Sequence, residues 1–266
     1  MNLLLKFLLA MGLSALALLA QAQDGKAIGV KQIETRPGVR VPVFEVWQPK
    51  AVANVVLFSG GGGGYGQIGE DGWPLSRNFL IRTGKDWAAH AFNLVMVGRP
   101  SDEIDLQDGT NRIRDEHQAD NLAIFKTIRQ KNNLPIWVVG TSMGTISAAA
   151  AAIRDQEHML AGVVLTSSIT SYRVNGAVPK QDLDKIIVPV LVLHHAKDAC
   201  AFCKPQEAPQ IISRLSKAKR KELVLFEAGE GASGNPCEAL HFHGYIGAEK
   251  QAVDLIAAWI QNNMQP

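Results

Sequence analysis

The stretch LPIWVVGTSMGTISAAAAAI, residues 134–153, decides how the rest of the chain can fold. Its first part, residues 136–139, is a short apolar run rich in β-branched residues, which is typical of a strand buried on both faces. The pentapeptide GTSMG at 140–144 fits the G-x-S-x-G pattern, which places a serine on a tight turn between a strand and a helix. The alanine-rich run that follows predicts a helix lying close against a sheet. The stretch therefore predicts a sharp turn that carries Ser142 at the N-terminus of a helix, where the partial positive charge of the helix favours anions.

Strand-like and helix-like segments alternate along the rest of the chain. Apolar runs predict strands at 41–47, 54–58, 92–97, 162–166, 190–194 and 222–226, and helical spacing predicts helices at 76–91, 115–131, 205–217 and 247–261. This alternation predicts an α/β fold with a mostly parallel central sheet and helices on both faces. Residues 98–114 are rich in arginine and aspartate and are expected to form a polar loop too charged to pack. The connection at 167–188 is too short for a large cap domain.

The first 22 residues have the pattern of a secretory signal peptide. Lys6 precedes an apolar run at 7–20, and AQA at 20–22 is a small-residue cleavage site, so we expect cleavage before Gln23. Residues 23–266 then form a single α/β domain, a size that one domain accommodates. No later segment is apolar enough to span a bilayer. The net charge of +2 gives no indication of a nucleic-acid or anionic-membrane partner.

These features resemble those of the α/β-hydrolase superfamily, and in particular the compact secreted proteins related to dienelactone hydrolases. The resemblance covers residues 43–259 and includes the GTSMG turn and the glycine-rich stretch SGGGGGYG at 59–66, with an acid and a histidine downstream. It implies a hydrolase that uses a serine nucleophile on a small-molecule acyl substrate and needs no cofactor. Dienelactone hydrolases proper carry a cysteine where this chain has Ser142, so the resemblance supports hydrolase chemistry better than that substrate.

A serine nucleophile needs a base to take its proton and an acid to orient the base. In this fold the chain order is serine, acid, histidine, with the acid just past a late strand. Asp198 follows the strand predicted at 190–194, whereas Asp182 and Asp184 precede it and are worse placed. For the base, the segment LHFHGY at 240–245 contains two histidines. His243 matches the histidine-glycine-aromatic pattern of the family and is preferred over His241.

An oxyanion hole requires two backbone N–H groups that point to one position. Met143, directly after the nucleophile, is expected to supply one. Gly61 is expected to supply the other, with Gly62 as the next choice, because a glycine loop lets the backbone approach the substrate without a Cβ. Residues 61–66 also satisfy G-x-G-x-x-G, the pattern of a dinucleotide site. A dinucleotide site requires a helix directly after the loop, and Gly69, Gly72 and Pro74 argue against one.

Three cysteines, Cys200, Cys203 and Cys237, lie in the last third of the chain. An odd number in an exported protein suggests one disulfide and one free thiol. The C-x-x-C of Cys200 and Cys203 leaves open a thiol-disulfide exchanger, and the three cysteines with His241 leave open a zinc site. A further alternative is a binding protein that has this fold without catalysis.

If Asp198 and His243 form a hydrogen bond, the loops that carry them must meet. Cysteines near that meeting point can then form a disulfide, and Cys237 is the one near His243. Similar secreted hydrolases carry a cysteine two residues past the acid, so the resemblance favours a Cys200–Cys237 disulfide with Cys203 left as a thiol. Whether His241 contributes, and which acyl group is the natural substrate, stays open.

Overall fold

The computed structural model of the protein describes residues 27–103 and 106–264. The expected signal peptide, residues 1–22, lies outside this part of the chain. The strands are β1 (Ala27–Arg36), β2 (Val39–Trp47), β3 (Ala53–Phe58), β4 (Gln67–Ile68), β5 (Pro74–Leu75), β6 (Phe92–Val97), β7 (Ile136–Thr141), β8 (Leu160–Thr166), β9 (Val190–His195) and β10 (Lys221–Phe226). The helices are α1 (Phe79–Arg82), α2 (Gly84–Ala89), α3 (Gly109–Ile113), α4 (Asp115–Lys131), α5 (Gly144–Ile153), α6 (Pro209–Arg214) and α7 (Glu249–Asn262).

Eight strands form one sheet in the order β1-β2-β6-β3-β7-β8-β9-β10, and β4 and β5 pair separately as a short hairpin. From β6 to β10 every pair of neighbours in the sheet is parallel, and β2 is antiparallel to both β1 and β6. This confirms the predicted α/β class with a mostly parallel sheet. The residues after β7, β8, β9 and β10 therefore meet at the carboxyl edge, where open α/β sheets bind ligands.

Helices cover both faces of the sheet, and successive residues of the central strands point to opposite faces. Val56 and Val138 belong to the core under α4 and α5, whereas Val55 and Val139 belong to the core under α1, α2 and α7. Every residue of β3, β6, β7 and β9 is buried, as expected of strands covered on both sides.

Four expectations about individual segments were wrong. The chain forms β1 before the first predicted strand, and the predicted helix 76–91 is divided into α1 and α2 at Thr83, whose hydroxyl donates to the carbonyl oxygen of Phe79. The predicted helix 205–217 is a single turn at Pro205–Glu207 followed by the short α6. The polar segment 98–114 contains α3, and its Arg112 is buried. The charge of the segment did not predict the burial of Arg112, because backbone carbonyls accept hydrogen bonds from its guanidinium.

Two further observations concern the surroundings of the sheet. The connection between β8 and β9 contains only two single-turn 3-10 helices, Val178–Lys180 and Leu183–Lys185, so no large cap enters there, as predicted. Among residues 27–103 and 106–264, no helix combines the length and the apolar character needed to cross a bilayer.

Candidate active site

Ser142 occupies the corner between β7 and α5 in a strained conformation. Its φ is +52°, in the left-handed region that non-glycine residues rarely adopt. The corner is fixed by two backbone bonds: the N–H of Ser142 donates to the carbonyl oxygen of Thr166 (3.0 Å), and its carbonyl accepts from the N–H of Thr145 (2.9 Å). A methyl group at Gly144 would lie 2.0 Å from the carbonyl oxygen of Phe58. The glycine is therefore required by close packing.

Asp198 and His243 lie on different loops, and their side chains form a hydrogen bond. His243 Nδ1 is 2.8 Å from Asp198 Oδ2, and both side chains are buried. The carboxylate can only accept, so Nδ1 carries the proton and Nε2 of the neutral ring is left as an acceptor. The other carboxylate oxygen, Oδ1, accepts from the backbone N–H of Cys200 at 2.9 Å. The structure thus brings Asp198 and His243, the two residues predicted as acid and base, into hydrogen-bond contact.

The alternative residues are placed elsewhere. His241 lies two residues before His243, and its ring makes an edge contact with Phe242. Asp182 forms a salt bridge with Lys185 at the surface. Neither residue belongs to the cavity that holds Ser142 and His243.

Ser142 and His243 line the same cavity at the carboxyl edge of the sheet. Its volume is about 260 Å³. It is also lined by Gly60, Gly61, Asn78, Phe79, Thr141, Cys237, Glu238, Ala239 and Gly244. A roomier depression of about 810 Å³ near Arg154 and Lys185 contains neither the serine nor the histidine. The chemistry therefore points to the smaller cavity.

The two expected oxyanion-hole residues flank this cavity. Gly61 lines it and has a φ of +57°, and Met143 directly precedes α5. A methyl group at Gly60 would lie 2.9 Å from Ser142 Cβ, so the glycine loop passes directly over the nucleophile. In the part of the chain that the structure describes, no backbone carbonyl accepts from the N–H of Gly61 or Met143. Gly62 does not line the cavity. The glycine loop is followed by the β4–β5 hairpin and no helix, so the arrangement is unlike a dinucleotide site.

The cysteines form the predicted pair. Cys200 and Cys237 are joined by a disulfide, and Cys203 is a buried thiol. Burial, with the charge of Asp198 in addition, raises the pKa of Cys203 well above its usual value. Reactive thiols have lowered pKa values and are exposed, so this arrangement does not favour an exchanger. The Sγ atoms of Cys200 and Cys203 and a ring nitrogen of His243 lie within 4.8 Å of one another. However, the disulfide removes Cys200 and Cys237, two cysteines of the alternative zinc set, as thiolate ligands.

Sequence reasoning missed two residues that support the base. The Ser167 hydroxyl donates to the backbone carbonyl of His243 at 2.8 Å, and the Tyr245 hydroxyl donates to the carbonyl of Leu193 at 2.8 Å. Ser167 and Tyr245 both have positive φ, 44° and 59°, and hold the histidine loop against the ends of β8 and β9. The position of Ser167, directly after a buried strand next to the one that carries Ser142, was the available signal.

The strand order, the antiparallel second strand and the serine corner after β7 together define the architecture. The chain has the α/β-hydrolase fold. Solved structures with this fold agree with the assignment at low sequence identity. The dienelactone hydrolase from Anabaena variabilis superposes with a TM-score of 0.60 at 14% identity, covering 89% of this chain and 98% of that one. An esterase from Pyrococcus furiosus gives 0.63 at 12% identity, covering 90% and 92%.

A third similar structure bears on the missing cap. XC6422 from Xanthomonas campestris, described as an α/β serine hydrolase without a lid, gives a TM-score of 0.56 at 13% identity, covering 89% of this chain and 93% of that one. No family model matches the sequence, and neither does any curated protein. The superpositions establish the fold, which the resemblance predicted. Because the sequence identities are low, the reaction has to be argued from the site.

Proposed function

We propose that the protein is a serine hydrolase that cleaves an ester, thioester or related acyl bond through an acyl-enzyme on Ser142. The observation that carries the proposal is the 2.8 Å bond between His243 and the buried Asp198 at the cavity that Ser142 lines. A buried carboxylate that fixes the tautomer of a histidine beside a strained serine is the arrangement that activates a hydroxyl for attack.

The proposed reaction begins when Ser142 Oγ attacks the acyl carbon and its proton passes to His243 Nε2. Asp198 stabilises the imidazolium that forms. The oxyanion accepts hydrogen bonds from the N–H groups of Gly61 and Met143, whose effect is largest in the transition state. His243 then protonates the leaving group, and a water molecule activated by the same histidine releases the acid from Ser142. No cofactor takes part in these steps.

The size of the cavity favours a short acyl group. About 260 Å³ lies below the range of pockets that enclose drug-sized ligands. Phe79 and Ala239 supply apolar walls, while Asn78 and Glu238 are polar. Because no large cap covers the site, the leaving group can extend into solvent, and the acyl side is expected to determine specificity. A series of p-nitrophenyl esters of graded acyl length tests this, with the highest kcat/KM expected at the short end.

Labelling with a fluorophosphonate tests the proposal directly, because the reagent reacts with a serine only when a base has activated it. Peptide mapping should find the adduct on Ser142. The Ser142→Ala variant should not be labelled, and Ser213→Ala, which changes an exposed serine on α6, should be labelled like the parent. A folded parent that remains unlabelled and hydrolyses no ester would instead favour a non-catalytic binding protein.

We further propose that the protein is exported and that residues 1–22 are removed. The apolar run before AQA supports this, and so does the Cys200–Cys237 disulfide, since such bonds persist in oxidising compartments. N-terminal sequencing of the protein from a periplasmic or extracellular fraction should begin at Gln23. Recovery only from the cytoplasm with Met1 intact would contradict it.

A further inference from the structure

Arg112 on α3 is fully enclosed, with only 1% of its surface exposed, and forms hydrogen bonds to the glycine loop and to α5, the helix that follows Met143. Its guanidinium donates at least four hydrogen bonds within the part of the chain that the structure describes. Nε donates to the carbonyl of Leu106 at 2.7 Å, Nη1 to the hydroxyl of Ser147 at 3.0 Å, and Nη2 to the carbonyls of Ser59 at 3.3 Å and Gly61 at 2.8 Å. Only arginine offers a rigid planar set of donors that matches acceptors on so many sides.

The bonds from Arg112 Nη2 to the carbonyls of Ser59 and Gly61 determine which way the N–H of Gly61 points. That N–H belongs to the planar peptide between Gly60 and Gly61, and Arg112 holds the carbonyls of the peptides on either side of it. The carbonyl of Gly60 accepts from the N–H of Gly63 at 3.1 Å. In a trans peptide the N–H points opposite to the carbonyl, so these bonds leave the N–H of Gly61 directed away from the loop interior. Five glycines in a row could not hold this orientation without such support.

The bond to Ser147 connects the loop to the other half of the hole. Ser147 lies one turn into α5, the helix that Met143 precedes, and its hydroxyl also contacts His117 Nε2 at 3.0 Å. Burial and the nearby arginine charges, Arg112 first, lower the pKa of His117 to about 3, so the ring is neutral. Arg112 thus connects the glycine loop to α5 through buried and partly buried bonds, and the separation between the two N–H donors depends on it.

We propose that Arg112 is a positioning residue that sets the geometry of the oxyanion hole. The proposal rests on the proposed serine hydrolase function and assigns to it a residue that never contacts the substrate. If Arg112 only stabilised the fold, it would make the same bonds. Its replacement would then lower the amount of folded protein without changing kcat per folded molecule. The two roles are therefore distinguished by rates measured per active site.

The experiment compares Arg112→Lys with the parent, counting competent sites by titration with a fluorophosphonate. Lysine keeps the charge, but its ammonium carries three donors on a single nitrogen and cannot reach the four acceptors around the guanidinium. We expect kcat for p-nitrophenyl acetate to fall about 100-fold with KM little changed, since misplacing an oxyanion donor costs on the order of 10²–10³. A trifluoromethyl ketone, which forms an oxyanion on Ser142, should lose affinity by the same factor. The matching alcohol, which forms none, should bind as it does to the parent.

Arg36→Lys is the matched control, because Arg36 also clamps two elements by bonds to Asp120 and Asp102 but lies outside the active site. It should lower Tm and leave kcat per site unchanged. If Arg112→Lys does not fold, Ser147→Ala takes its place, since it removes the bond from Arg112 to α5, together with the Ser147–His117 contact, and leaves the bonds from Arg112 to the glycine loop; a loss of about tenfold in kcat is expected.

The outcomes separate cleanly. Parental kcat per site in the folded variant, or an equal loss of affinity for the ketone and the alcohol, would overturn the role of Arg112 while Ser142 remains labelled and the hydrolase function stands. A parent that the fluorophosphonate fails to label would refute the proposed function itself, and the oxyanion hole with it.

Discussion

The nucleophile and its two partners are held by different kinds of structure. Ser142 lies between a fully buried strand and an almost fully buried helix, and its geometry is fixed by the packing of these two elements and by backbone bonds to Thr145 and Thr166. Asp198 and His243 stand on loops; between Phe226 and Glu249 the chain forms only one turn of 3-10 helix, and many residues there are exposed. These loops are fixed by bonds to distant parts of the chain, such as the one from Arg82 Nη2 to the carbonyl of Gly244 at 2.7 Å.

The catalytic residues are therefore held in place in two different ways. The serine corner gains its precision from the cooperative packing of the sheet and should be as stable as the global fold. The acid and histidine loops gain theirs from a small number of cross-links, including the disulfide and the Ser167 bond, and should open more readily. Changes to the corner should therefore affect chemistry alone, whereas changes to the loops should affect order and chemistry together.

The largest effect is expected at the corner. Ser142→Ala should lower kcat for p-nitrophenyl acetate by on the order of 10⁴-fold or more while leaving Tm close to that of the parent. The reason is that the hydroxyl is the attacking atom and contributes little to packing. Ester hydrolysis and thermal unfolding should be measured together, with Ser213→Ala as the control. Activity within tenfold of the parent would remove Ser142 from the role of nucleophile.

A pair of substitutions tests the loop that carries the proposed base, His243. His243→Ala should match Ser142→Ala in lost activity, because no base would remain to take the serine proton. His241→Ala, two residues away on the same loop, should cost far less, since that ring makes no bond to Asp198. Steady-state rates at the pH optimum of the parent decide between them. If the two results are exchanged, the triad remains but His241 is the base.

The same division explains how much could be predicted from the sequence. The corner was predictable because strand period, glycine spacing and alanine content are local signals that all indicate one geometry. The acid was predicted from chain order, and His243 was preferred as the base because it matches the histidine-glycine-aromatic pattern of the family. The roles of Ser167 and Arg112 could not, because each acts on backbone carbonyls contributed by a distant part of the chain: Ser167 on His243, Arg112 on Ser59 and Gly61.

Errors in secondary structure have the same origin. The strand β1 was missed because most of its residues are exposed, so no apolar alternation marks it. The helix expected at 76–91 is interrupted at Thr83, directly before Gly84, where a methyl group would lie 2.7 Å from Met96 Cε. Both features are imposed by tertiary packing, which local periodicity does not record.

Reduction of the Cys200–Cys237 disulfide should have an effect of intermediate size on activity. It closes a sequence separation of 37 residues, which chain-entropy arguments equate to roughly 3–4 kcal/mol of stability. It also ties the loop of Asp198 to the loop of His243. Treatment with a dithiol reductant should therefore lower activity at temperatures where circular dichroism still reports a folded chain.

The Cys200→Ser variant is the control for this experiment, because it has no disulfide between these loops to reduce. The reductant should leave its activity unchanged. Simultaneous loss of activity and of folded structure in the reduced parent would contradict this prediction, because it would show that the loops of Asp198 and His243 are no less stable than the Ser142 corner.

The smallest effect concerns His194, at the end of β9 beneath the loop of Asp198. Its ring is fully buried and its Nε2 accepts from the backbone N–H of Ser168 at 2.9 Å, which anchors the loop after β8. Burial lowers its pKa to about 4, so the native protein keeps it neutral. In the unfolded chain the same histidine gains a proton near pH 6.5. Between those values the unfolded state binds more protons, so stability falls as the pH decreases from about 6.5 to about 4. The expected slope from this residue is at most about 1.4 kcal/mol per pH unit.

His194→Gln keeps an acceptor for Ser168 and removes the titration, so the free energy of unfolding of this variant should change less between about pH 6.5 and about pH 4 than that of the parent. Urea unfolding at half-unit steps of pH measures both curves, and His158→Asn, which changes an exposed histidine, should follow the parent. A variant as sensitive to acid as the parent would mean that the anchor beneath the acid loop does not limit stability at low pH.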